Sequence, residues 1–171
     1  ANVNATEVNG YVEYRQPVAG SAGSVYARLA RLNLEPSAAA EVEQLLSQPT
    51  SVPALDIAVE ELEFGGRRLG RVEVEAINRG GPTRAGEWRL TKLRLSVPEA
   101  RFSATGNWAP MTGAATQPGE QRRTALSFRL DVDDSGALLT RFNRPGLVRG
   151  GKGRIEGSIG WVGSPLAPDY P

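Results

Sequence analysis

The stretch ALDIAVEELEFGGRRLGRVEVEA, residues 54–76, holds two runs of period-two alternation around a glycine pair. Leu55, Ile57 and Val59 share one side of an extended chain. On the return, Val72, Val74 and Ala76 share one side, opposite Arg71, Glu73 and Glu75. Side chains alternate between the two faces of a strand, so the stretch reads as a hairpin with one dry face and one wet face. Gly65-Gly66 supplies the positive φ that a two-residue hairpin turn demands. Leu62 and Phe64 fall on the opposite parity from Val59, which predicts a bulge at the Glu60-Glu61 step.

The same alternation extends in both directions. Toward the amino end, Val8, Gly10, Val12 and Tyr14 form one face, and Val25, Ala27 and Leu29 another; Arg28 and Arg31 interrupt that pattern, and Ala30 and Leu32 predict apolar contact on both sides. Toward the carboxyl end, Trp88 and Leu90 are followed by Leu93, Leu95 and Val97 after a parity shift near Thr91-Lys92, with Pro98 at an edge or turn. Phe102, Ala104, Gly106 and Trp108 then lie opposite Arg101, Ser103, Thr105 and Asn107. Leu126, Phe128, Leu130 and Val132 form a further half-buried strand, and Ile155, Gly157, Ile159 and Trp161 a last one. Residues 110–123 are rich in Gly, Pro, Thr and Gln without periodicity and are predicted to be a flexible loop. Two helices of about three turns are predicted. One spans Ser37 to Ser47, and the other is capped by Asp133 or Asp134 and runs through Ala137, Leu138, Leu139 and Phe142 until Pro145-Gly146. The fold class is mainly β: a single unit over residues 1–171 of about eight mostly antiparallel strands with two short helices.

Composition narrows the chemistry. The 171 residues carry 20 Lys and Arg against 19 Asp and Glu, with no His and no Cys. Imidazole acid–base catalysis, thiol nucleophiles, disulfides and zinc fingers are thereby excluded. A net charge of +1 without a basic tract gives no field for nucleic acid, which is not an expected partner. No stretch approaches the roughly 18–20 apolar residues that span a bilayer as a helix.

The remaining polar clusters have plain readings. Asp131, Asp133, Ser135 and Gly136 match the opening of a calcium loop, but its twelfth position is Phe142, so helix capping explains them better. Gly151, Gly153 and Gly157 lack the spacing of a phosphate loop and read as turn and close-packing residues. Asp56, Glu60, Glu61 and Glu63 read as wet-face charges rather than a glycosidase pair. Arg141 and Arg144 suit the helix dipole at the second helix's carboxyl end, with an anionic headgroup contact as the alternative. Trp88, Trp108 and Trp161 read as core, with the lip of a lipid groove as the sharper option. No catalytic residue, metal or cofactor is expected.

Eight strands about 25 Å long at about 4.8 Å spacing present an apolar face on the order of 950 Å². Two short helices shield roughly 300 Å² of it. The rest is hidden if the sheet closes on itself as a sandwich or barrel, or it lines an open trough that meets something apolar, such as acyl chains. On composition alone closure is favoured, because exposed lining costs roughly 25 cal/mol per Å².

Several segments, taken in order, are similar to the AsmA-like YhdP family of Gram-negative envelope proteins. They are Leu55-Asp56-Ile57 after Ser51-Val52-Pro53-Ala54, Phe64-Gly65-Gly66-Arg67-Arg68-Leu69-Gly70, Trp88-Arg89-Leu90 with Leu93-Arg94-Leu95, and Ala104-Thr105-Gly106-Asn107-Trp108. Asp134-Ser135-Gly136-Ala137-Leu138-Leu139 follows, then Gly151-Lys152-Gly153-Arg154-Ile155-Glu156-Gly157 leading to Trp161-Val162-Gly163-Ser164-Pro165. The resemblance covers about residues 8–166 and implies an excised piece from the carboxyl-terminal half of a longer protein with an inner-membrane helix. It further implies a curved, repeating β-groove like those of TamB and eukaryotic bridge-type lipid transporters, in the periplasm, carrying phospholipid toward the outer membrane. For the intact protein it raises the open trough above the closed one. Phospholipid acyl chains and other envelope proteins are the implied partners, with membrane contact through parts outside this chain. The rival expectation is a closed β module used for protein docking or as a spacer. The residues expected to line the groove are Val72, Val74, Leu93, Leu95, Phe102, Ala104, Leu126, Phe128 and Leu130.

Overall fold

The computed structural model describes residues 2–5, 8–35, 52–79, 86–111, 122–165 and 167–168. Ten strands form one sheet in sequence order. Eight are long: β2 (Val8–Arg15), β3 (Ser24–Leu34), β4 (Ala54–Phe64), β5 (Arg67–Asn78), β6 (Trp88–Val97), β7 (Ala100–Pro110), β8 (Arg122–Val132) and β9 (Gly153–Ser164). Short strands β1 (Asn2–Ala5) and β10 (Ala167–Pro168) extend the two edges. Every pair is antiparallel except β3 with β4. Parallel neighbours need a long crossover, and here it occupies residues 35–53. The helix expected over Ser37–Ser47 lies in that crossover, outside the described residues.

Local sequence accounts for the hairpins and bends. Gly65 and Gly66 adopt φ of 55° and 76° and join β4 to β5 in the expected tight turn. The pairing register shifts between Val59 and Leu62 and between Leu90 and Leu93, where the parity breaks place bulges. Each bulge returns the next leucine to the dry face and adds local twist. Gly70 sits opposite the β4 bulge with φ of 79°, and a Cβ there would lie 2.2 Å from the Ser96 carbonyl oxygen. Only glycine fits that approach.

Four expectations need correction. Leu32 does not serve a second apolar side: the alternation breaks in β3 beside the β4 bulge, so Leu32 joins Leu29 and Val59 in one cluster while Ala30 is exposed. The carboxyl-terminal helix, α1 (Ser135–Arg141), has seven residues, about two turns. Asp134 caps it, its Oδ1 accepting from the Ala137 N–H at 2.9 Å, and Asn143 leaves it with a left-handed φ of 58°. The loop expected over 110–123 is shorter at both ends, because Pro110 and Arg122 still pair across β7 and β8; residues 112–121 lie outside the described residues. Closure, favoured by composition, does not occur: the sheet does not form a barrel, and among the described residues the substantial contacts between elements all join sheet neighbours. Among the described residues no second layer covers the sheet, and side chains lying over adjacent strands, such as Phe128 over Gly157, shelter one another.

Candidate functional site

The pairing registers carry the apolar residues into rows that run across the strands. Leu29, Val59, Val72, Leu95, Phe102, Leu130 and Ile155 stand in one row. Ala27, Ile57, Val74, Leu93, Ala104, Phe128 and Gly157 make the next. Val25, Leu55, Ala76, Leu90, Gly106, Leu126 and Ile159 make the third. All nine residues singled out from the sequence fall in these rows: Val72, Leu95, Phe102 and Leu130 in the first, Val74, Leu93, Ala104 and Phe128 in the second, Leu126 in the third. Across β3 to β9 the six gaps of about 4.8 Å make the rows about 29 Å long. That exceeds one lipid tail, which fills about half of a 30 Å hydrocarbon core.

Burial along the rows is graded. Val59, Val72, Ala76 and Ala104 are buried; Val74, Leu93, Leu95, Phe102, Leu126, Phe128 and Leu130 are half-buried, and no described side chain is fully enclosed. Phe102 and Phe128 stack with ring centroids 6.3 Å apart. At β9 the face ends on Ile155 and Ile159, which are 58% and 51% exposed. Leu55, Ile57, Val59 and Leu90 also stand in the rows, beyond the nine residues expected to line the groove, although their alternation is evident in the sequence. What placed them there is register, which depends on where each bulge falls.

Along one side of the rows, at the ends of the strands, the face is packed over. Asn78, Trp88, Trp108, Thr124 and Trp161 form a fourth row there. Val52 packs on Ala76, Trp88 and Trp108, while the Trp88 indole N–H donates to the Pro53 carbonyl at 3.2 Å and the Asn78 amide to that of Val52 at 2.7 Å. The Arg122 guanidinium lies 5.0 Å from the Trp108 ring centroid and donates to the carbonyls of Trp108 and Gly86. Trp88 and Trp108 are therefore core residues, as their parity predicts, and Trp161 is half-buried.

The reverse face is laced by cross-strand ion pairs. Arg28 meets Asp56 at 2.7 Å, Arg31 meets Glu61 at 3.3 Å, Arg71 meets Glu60 at 3.4 Å, and Arg129 meets Glu156 at 3.0 Å. Asp56, Glu60 and Glu61 are thus wet-face charges held by arginine. Asp131 and Asp133 part into separate pairs with Arg154 and Arg101, and a hydrogen bond from Arg154 holds the Asp131 carboxyl below its ordinary range. Among the described residues no three His, Cys, Asp or Glu side chains cluster as metal ligands. Arg141 does not face outward for a headgroup: its guanidinium grips Glu99 through bonds of 2.8 and 2.7 Å.

A single open sheet, polar and ion-paired on one side and lined by apolar rows on the other, defines an open-faced β-sheet protein. The family comparison gives that class a name: the YhdP protein family matches residues 1–171, and the chain belongs to it. No curated protein and no solved structure matches the chain significantly.

Proposed function

We propose that this chain is a segment of a periplasm-spanning, inner-membrane-anchored envelope protein that carries phospholipids toward the outer membrane. The observation that carries the reading is the three apolar rows crossing the sheet without a covering layer among the described residues. Acyl chains lie on Val72, Val74, Leu93, Leu95, Phe102, Ala104, Leu126, Phe128 and Leu130 while headgroups stay in water. Removal of tails from water supplies the affinity, about 0.8 kcal/mol for each buried CH₂, and no bond is made or broken. Membrane contact and other envelope partners belong to parts of the protein beyond these rows. The family match supports the reading, because the YhdP resemblance implies a lipid-carrying groove.

The test is mass spectrometry of the gently purified chain together with Leu95→Asp and Phe128→Asp. Copurifying phospholipid is expected in the parent and absent from both variants, with their β circular dichroism retained because a half-buried side chain can reach water. Lipid-free parent protein, unchanged by delipidation, overturns the reading and leaves a docking or spacer module. Unfolded variants identify the two side chains as core, since an unpaired buried charge costs several kcal/mol.

A further inference from the structure

A second candidate site lies on the reverse of the apolar face. On the polar face β7 presents Ser103 and Thr105, both short, between Lys92 and Arg94 of β6 and Arg129 of β8. Short side chains flanked by long ones leave an open hollow of about 470 Å³. Leu93, Ala104 and Phe128 also line it; their side chains turn to the apolar face, so they contribute backbone as its floor.

The charge around this hollow is uneven. Strands β6 and β7 carry Arg89, Lys92, Arg94 and Arg101 and no carboxylate, whereas most of the sheet's acids sit on β4 and β5. Of the charged groups lining the hollow, Lys92, Arg94 and Arg129 are cationic and Glu75 is acidic, while two further carboxylates border it: Glu73, opposite Arg94 in the register and 3.9 Å from Lys92, and Glu156 beside Arg129. Lys92 is held 3.0 Å from Glu75 and Arg129 3.0 Å from Glu156. Arg94 joins no ion pair among the described residues, and its exposed guanidinium stands beside hydroxyls that can donate.

We propose that this hollow binds a phosphate group, with the Arg94 guanidinium as its main partner and the Ser103 and Thr105 hydroxyls as further donors. A planar fork matches two phosphate oxygens, and hydroxyls from the adjacent strand reach a third, which a carboxylate ligand lacks. The phosphate comes either from a soluble phosphate ester or from a lipid headgroup. Because the sheet separates this hollow from the apolar rows, the proposal does not rest on lipid passage along them.

The test titrates the ¹⁵N-labelled chain with inorganic phosphate and glycerol 3-phosphate, against chloride at matched ionic strength. A second arm measures cosedimentation with phosphatidylglycerol vesicles. Expected are amide shifts at Arg94, Ser103 and Thr105, with binding at least about tenfold weaker in Arg94→Gln. Arg89→Gln, whose parent guanidinium is held by Glu87 outside the hollow, should change little. Arg94-dependent binding of the soluble probes assigns a phosphate ester, and Arg94-dependent binding of vesicles alone assigns a headgroup. Shifts that chloride reproduces, equal losses in the two variants, or no binding in either arm overturn the proposal.

Discussion

Glu99 shows how one residue in a turn can organise the ends of interior strands. Its carbonyl accepts from the N–H groups of Asp133 and Asp134 at 2.8 and 3.2 Å, tying the end of β8 to the β6–β7 turn. Its carboxylate takes both bonds from Arg141, and that pairing holds its pKa below the ordinary 4.5 despite partial burial. A carboxyl whose pKa is lowered by folding stabilises the protein fully above its unfolded value and loses that contribution as pH falls through the folded one. Thermal melts should therefore separate the parent from Arg141→Gln by about 1–2 kcal/mol near neutral pH, with the gap closing as pH drops below 4.5. A gap that persists undiminished in acid would count against the pairing. Glycines supply a second contrast at this scale. Gly66→Ala meets no neighbour within 4 Å and should cost only the left-handed backbone penalty, about 1 kcal/mol. Gly70→Ala adds a collision with the Ser96 carbonyl, and urea denaturation should report a loss of about 2–3 kcal/mol.

At the scale of the strand, bulges decide which side chains share a face. Between Leu90 and Leu93 the extra residue lets both leucines stay dry, with Lys92 turned to Glu75 on the wet side. Deleting Thr91 removes that extra residue. The portion of β6 from Leu93 to Val97 then either flips its leucines into water or breaks its pairing with β7. Expression of the deletion variant should give aggregated or unfolded protein by light scattering and circular dichroism, whereas Thr91→Ser, which keeps the residue count, should behave as the parent. The β4 and β6 bulges were legible in the sequence because charged or polar residues stand at the parity break: Glu60-Glu61 and Thr91-Lys92. The irregularity in β3 was not, because apolar Ala30 occupies the step and disguises it as a strand with two apolar sides. Helix α1 was legible at its start, where Asp134 caps it, and overextended at its end, since Phe142 has helical spacing yet serves as the C-cap.

For the whole molecule the consequence is a large apolar surface, packed over along one side at the strand ends. Ligands that bind the folded state raise its melting temperature by mass action. A short-chain phospholipid below its micelle concentration should raise the melting temperature of the parent by several degrees and leave that of Leu95→Asp unmoved; equal shifts in both would detach the stabilisation from the rows. The amino-acid sequence alone determined the eight long strands, their dry and wet sides and the Gly65-Gly66 turn, because period-two alternation and turn chemistry are local properties of the chain. Tertiary structure alone decided that Val72, Leu95, Phe102 and Leu130 stand in one row, that Val52 and two tryptophans pack along one side of the rows, and that the sheet is not closed into a barrel. Alternation states which face of a strand avoids water, but register and covering depend on segments distant in sequence, and local patterning carries no record of what lies across from it.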